Sequence, residues 1–180
     1  AALCGLPAGV TFEGQAAMTL EFAADASVRD AYPLPLRSEG KTASRATAFP
    51  NRQDDLKRPS DAGPLSSGLV SAAMTAVMDW EPMIRAILAD RSAGVPVAAI
   101  AARFHNALAA AAVEVAQMVS CPQVALSGGC FQNALLAVRV EESVLAAGFH
   151  VYQHREVPPN DGGVALGQVL IAANELQRSE

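Results

Sequence analysis

The chain has 180 residues, 51% of them hydrophobic and 5% aromatic, with a net charge of −5 and a pI near 5.2. That suffices for one sizeable core or two small lobes, and the alanine-rich apolar set favours close-packed helices on a small sheet. The acidic balance argues against a nucleic-acid surface, and no run reaches the roughly 20 apolar residues of a membrane span.

The apolar run at 69–77 is too short to span, and 95–119 is interrupted by Arg103, His105, Asn106, Glu114 and Gln117. No basic, secretory-type leader opens the chain, and it begins without Met, so a piece of a longer protein is expected. Cys4, Cys121 and Cys130 are odd in number and form no CxxC pair, which points to reduced thiols and a cytoplasmic setting.

In chain order, Thr11 is placed to cap a helix from Phe12 to about Ala26. Residues 32–36 form a short apolar run broken by Pro33 and Pro35, at best an edge strand. Residues 37–67 lose all periodicity to Ser, Thr, Asp, Lys, Arg, Pro and Gly, and read as a loop insertion. A strand or hairpin is expected near 73–80, then a helix over 82–89 with Pro in its first turn. Gly94 and Pro96 punctuate before a long helix over 97–119, with Ile100, Phe104, Leu108, Ala111 and Val115 near one face. A buried strand at 123–126, a helix over 131–147 ending at Gly148, a strand at 149–152 and a helix over 164–176 complete the chain.

Two loops carry the chemistry. The first offers Ser127, Gly128, Gly129 and Asn133; the second offers Asn160, Asp161, Gly162 and Gly163. Each follows a strand and opens a helix, the place where open α/β sheets bind ligands. Glycine lets backbone approach a ligand closely, and a helix amino end presents free N–H groups to anions. A neighbouring Asp can hold a hard cation. A phosphate-bearing ligand with a metal nearby is the resulting expectation.

Four motifs in order resemble the C-terminal region of the HypF-type carbamoyltransferases: VTFEGQAA at 10–17, AARFHNALA at 101–109, SGGCFQN at 127–133 and HREVPPNDGGVALGQ at 154–168. The resemblance covers nearly the whole chain apart from the 37–67 insertion. It implies an α/β fold, part of an actin-like ATPase (ASKHA, RNase H-like) domain similar to the tRNA threonylcarbamoyl-adenosine synthases. It also implies the acyl-transfer half of an enzyme that uses carbamoyl phosphate and ATP. In that family a carbamoyl-adenylate delivers its carbamoyl group to the C-terminal cysteine of a partner, HypE, as precursor of a cyanide ligand in nickel–iron hydrogenases. The family's acylphosphatase, zinc-finger and adenylate-forming regions have no counterpart here, so zinc belongs to upstream domains.

By the same resemblance Asp161 matches a ligand of a divalent metal, magnesium or iron, whose histidine ligands lie in an HxxxH helix upstream of this chain. Its bland alternative is a helix N-cap. Ser127, Gly128 and Gly129 match the nucleotide loop, against a plain strand-to-helix turn. Asn133 matches a residue whose amide meets the acyl-adenylate, and Glu13 one that accepts from ribose hydroxyls; Glu13 could equally stabilise a helix start by its charge. His150 and His154 share the HxxxH spacing, but 149–152 reads as a strand, and residues four apart along a strand are separated by about 13 Å. His105 reads as a packed or capping residue, Cys130 as a small packing side chain, and Gln132 as facing solvent or a neighbouring loop. No side chain stands out as a covalent nucleophile, so the catalytic residue is left unassigned. The competing readings are a tRNA threonylcarbamoyl transferase and a non-catalytic nucleotide- or partner-binding fragment.

Overall fold

The computed structural model describes residues 1–6, 9–39, 75–119 and 121–178. The chain divides into two units, Ala1–Pro35 with Asp79–Glu180, and Leu36–Met78.

In the smaller unit, β1 (Leu36–Glu39) pairs antiparallel with β2 (Thr75–Met78), with Leu36 opposite Met78. The strand expected near 73–80 is therefore present, while residues 37–39, expected to begin a loop, are strand instead. The ladder with β2 supplies backbone partners that their own composition does not advertise. The rest of the expected insertion, residues 40–67, lies outside the described residues.

The larger unit is built around α3 (Val97–Val119). No Gly or Pro interrupts its 23 residues, and alanines give it small faces that neighbours can approach closely. One core cluster joins Ile100, Ala101 and Ala107 of α3 to Leu20 of α1 (Gln15–Ala23) and to Met83 and Ile87 of α2 (Glu81–Ser92). A second joins Ala109 to Leu126 of β3 (Gln123–Leu126) and to Leu136, Val140 and Val144 of α4 (Ala134–Ala146). Because α3 is covered on two sides, its buried surface is wider than one stripe: His105 and Ala102 are buried, while Val115, expected on the core face, is exposed.

Tyr32 and Leu34 are buried and alternate with exposed Pro33 and Pro35, yet form no strand. Proline lacks the N–H that a ladder requires, so the segment is held from the side instead. Asn106 donates from Nδ2 to the carbonyls of Val28 and Asp30, and the Tyr32 N–H donates to the Arg103 carbonyl.

Several boundaries shift. α1 begins three residues later than expected because Gly14 is the N-cap in a left-handed conformation (φ 83°). Thr11 is no cap; its backbone N–H donates to Oε1 of Gln15. α1 ends at Ala23, where Ala24 turns extended and the Asp25 N–H donates to the Ala98 carbonyl. α2 is longer than the 82–89 expectation, and its proline does fall in the first turn.

β3 and β4 (His150–Gln153) pair in parallel, Gln123 opposite His150 through Leu126 opposite Gln153. Parallel pairing puts both carboxyl ends at one edge, which positions the two glycine-bearing loops. The final helix, α5 (Val164–Arg178), leaves Val169, Leu170 and Ile171 exposed.

Candidate functional site

The turn after β3 and the loop after β4 touch. The Gly128 N–H donates to the Pro159 carbonyl at 2.7 Å, and Ser127 Oγ lies 3.1 Å from Nε2 of the exposed His154. Gly128 has φ 103°, a backbone state that a side chain rarely tolerates, so glycine is required for this turn. Gly163 is closely packed: a Cβ there would meet the Pro158 carbonyl oxygen at 3.1 Å.

A 3-10 turn, Gly129–Gln132, intervenes before α4, which is why the helix begins at Ala134 rather than Phe131. Asn133 is its N-cap, and its Oδ1 accepts from the Leu136 N–H at 2.8 Å. The preceding donors are also taken: Oε1 of Glu21, on α1, accepts from the N–H of Ala134 at 2.7 Å and of Leu135 at 3.4 Å. The amino end of α4 is thus closed by the protein's own carboxylate. An anion seated there would first have to displace Glu21.

Beside this end lies a cavity of about 670 Å3. Its walls come from the start of α1 (Glu13, Gly14, Met18), from α3 (Phe104, His105, Leu108) and from the turn carrying Gly129, Cys130, Gln132 and Asn133. Glu13, distant in the chain, therefore shares one concavity with Gly129 and Asn133. Ser127, Gly128 and Asp161 are not among its lining residues; Ser127 and Gly128 lie at the contact between the two loops. Among the described residues the wall includes Glu13 and Glu21 and no lysine or arginine. Exposed Gln132 and Cys130 are both on the wall, so Cys130 faces the concavity rather than packing inward.

The cap preceding α5 is Asn160, whose Oδ1 accepts from the Gly162 N–H, not Asp161. Asp161 is exposed, and its carboxylate has no hydrogen-bond or ion-pair partner among the described residues. It is free to donate to a cation. Among the described residues no group of three or more His, Cys, Asp or Glu could hold a metal alone, so Asp161 would be one ligand of a set completed elsewhere. His150 is an exposed strand residue, as expected.

His105 departs from the sequence reading in its connections. It is 2% exposed, Nδ1 lies 2.7 Å from the Ala101 carbonyl, and Nε2 lies 2.9 Å from Nδ2 of Asn133. Its packed character was legible; its link to a residue 28 positions away was not. Glu21 was missed outright, because an acidic residue inside a helix carries no signal of which neighbouring helix it will cap.

The architecture and the paired loops define a class: a mixed α/β subdomain whose parallel strands bring two glycine-bearing loops into contact. A family model described as "Carbamoyltransferase, Kae1-like Domain, second subdomain" matches residues 1–168. The chain is 34% identical over 172 residues to the carbamoyltransferase HypF of Synechocystis sp., covering 94% of this chain and 18% of that protein. It is 35% identical over 183 residues to the carbamoyltransferase HypF2 of Cupriavidus necator, covering 99% of this chain and 21% of that protein. A crystal structure of full-length HypF in the phosphate- and nucleotide-bound form superposes with a TM-score of 0.72 at 31% identity, over 97% of this chain and 19% of that one. The chain belongs to the HypF carbamoyltransferase family and corresponds to its Kae1-like second subdomain. It spans about a fifth of the length of these relatives.

Proposed function

We propose that this chain forms the acyl-transfer half of a hydrogenase-maturation carbamoyltransferase. It binds a carbamoyl-adenylate made from carbamoyl phosphate and ATP, and passes the carbamoyl group to the C-terminal cysteine of a HypE-type protein in the cytoplasm. The observation that carries this reading is the shared cavity of Glu13, Gly129 and Asn133, beside the loop contact at Gly128, in a member of the HypF family.

In this reading Glu13 accepts from the ribose hydroxyls, since one carboxylate suits two vicinal donors. The backbone of Ser127, Gly128 and Gly129 follows the phosphate closely, because glycine leaves no side chain in the way. The carbonyl edge of Asn133 retains a lone pair and its nitrogen a second N–H after the cap and the His105 contact are made, enough to meet an acyl group. The described residues of the cavity wall include two glutamates and no lysine or arginine to balance the ligand's negative charge. A divalent cation, magnesium or iron, held partly by Asp161 would offset that charge. The incoming thiolate attacks the carbamoyl carbon, the bond to the adenylate oxygen breaks, and AMP leaves with the electron pair. Positioning and electrostatics then supply the rate, with no covalent intermediate on this chain.

Calorimetry with a non-hydrolysable ATP analogue tests the binding half. The transfer half is tested with carbamoyl phosphate, ATP and a peptide carrying the acceptor cysteine. Nucleotide binding without turnover by this chain alone is the expected result. Absence of binding would sink the site, and carbamoylation by this chain alone would sink the division of labour.

A further inference from the structure

We propose that His105 is a positioning residue, which holds the Asn133 side-chain amide in a single orientation at the cavity wall through a one-way hydrogen-bond chain. Both residues line the cavity. The direction of the chain follows from its two ends. The Ala101 carbonyl can only accept, so the Nδ1 atom 2.7 Å away must carry the proton. Nε2 faces Nδ2 of Asn133 at 2.9 Å, and an amide nitrogen can only donate, so Nε2 must be the bare acceptor and the ring carries its hydrogen on Nδ1. At the other end the Leu136 N–H can only donate, so the atom that receives it at 2.8 Å must be Oδ1. The Leu136 end thus fixes the amide, and the amide in turn fixes Nε2 as the acceptor. A flipped Asn133 would oppose two acceptors at His105 and two donors at Leu136.

The ring itself has little freedom. His105 is 2% exposed, and the Phe104 ring meets it edge-on, with centroids 5.6 Å apart and planes at 88°. A buried ring pinned at both nitrogens is a rigid template for its neighbour. The inference deepens the proposed site by giving Asn133 a fixed donor–acceptor pattern toward whatever occupies the cavity. It rests on that reading only for the ligand, not for the tautomer.

Nitrogen NMR of the histidine-labelled full chain tests the tautomer without any ligand. A protonated Nδ1 and bare Nε2 for His105 are expected; a protonated Nε2 overturns the proposal. Two variants test the positioning. His105→Phe keeps a flat aromatic ring, somewhat larger, and removes both nitrogens, whereas in His105→Gln the amide oxygen can still accept from Asn133. With a non-hydrolysable carbamoyl-adenylate analogue as probe, binding should weaken about tenfold in His105→Phe and stay within about twofold in His105→Gln, the difference made by one oriented hydrogen bond. The melting temperature of each variant is read in parallel. Equal binding by folded His105→Phe and wild type overturns the positioning role, as does equal loss in both folded variants. Should the wild-type chain bind no analogue, the nucleotide site fails; the tautomer measurement then decides the hydrogen-bond chain by itself.

Discussion

Glu21 and Ala134 stand 113 residues apart, yet Oε1 of the first accepts the backbone N–H of the second at 2.7 Å. One helix thereby closes the amino end of another. The Glu21 charge also opposes the positive end of the α4 dipole, so its removal leaves two N–H groups and the dipole uncompensated. Glu21→Ala is expected to cost about 1 kcal/mol and Glu21→Gln less, since the amide oxygen still accepts. Urea unfolding of the three proteins reads this directly; equal stability would show that water replaces the carboxylate without loss.

The second site for a test is the ion-pair and hydroxyl network on the other side of α3. Tyr32 donates to Oδ2 of Asp90 at 2.6 Å, and Arg103 bridges Asp90 and Asp30 at 2.6 and 2.7 Å. The tyrosine hydrogen bond, then Arg103, holds the Asp90 carboxyl below its ordinary value of 3.8, against the opposing effect of burial. Burial, then Asp90, raises Tyr32 above its ordinary value of 10.0. A lowered carboxyl stabilises the fold above its ordinary value and loses that contribution as pH falls below it. A raised phenol stabilises below its ordinary value and loses that contribution as pH climbs past it. The network should therefore contribute fully between these two values and fade on both sides. Tyr32→Phe is expected to lower stability at pH 7 by about 1 kcal/mol and to flatten the alkaline decline. Unfolding curves from pH 3 to 11 check both.

Asp161 separates stability from function. Exposed and without a partner among the described residues, it should tolerate Asp161→Asn within about 0.5 kcal/mol in thermal unfolding. Under the proposed role the same change should sharply reduce divalent-metal-dependent carbamoyl transfer in an intact carbamoyltransferase carrying this subdomain. Undiminished transfer would remove Asp161 from the site.

Ile100 is 0% exposed at the centre of the cluster joining α1, α2 and α3. Truncation to Ala removes buried apolar surface and leaves a cavity that the packed alanines around it cannot close. A loss of about 2–5 kcal/mol is expected. Denaturant unfolding measures it, and a loss below 1 kcal/mol would mean the neighbours collapse into the space.

Much of the framework is written in local patterns. The unbroken helical run at 97–119 and the apolar strand at 123–126 appear with the boundaries their residues suggest, because periodicity and turn chemistry act over a few positions. The four motifs likewise carried the family, and the parallel pairing of β3 with β4 brought the two glycine-bearing loops together as a strand–helix alternation implies. Boundaries failed where a side chain or a glycine reorganised a terminus: Gly14 delays α1, and the Gly129–Gln132 turn delays α4.

Residue types and spacing alone thus determined the α/β class, the order of elements and which loops bear polar and glycine residues. Tertiary structure alone decided which groups those loops leave available. Glu21 takes the amides at the head of α4, His105 takes one hydrogen of Asn133, and Asn160 rather than Asp161 caps the next turn. Local propensity records what a residue can donate or accept; only the packing of distant segments determines what remains unspent.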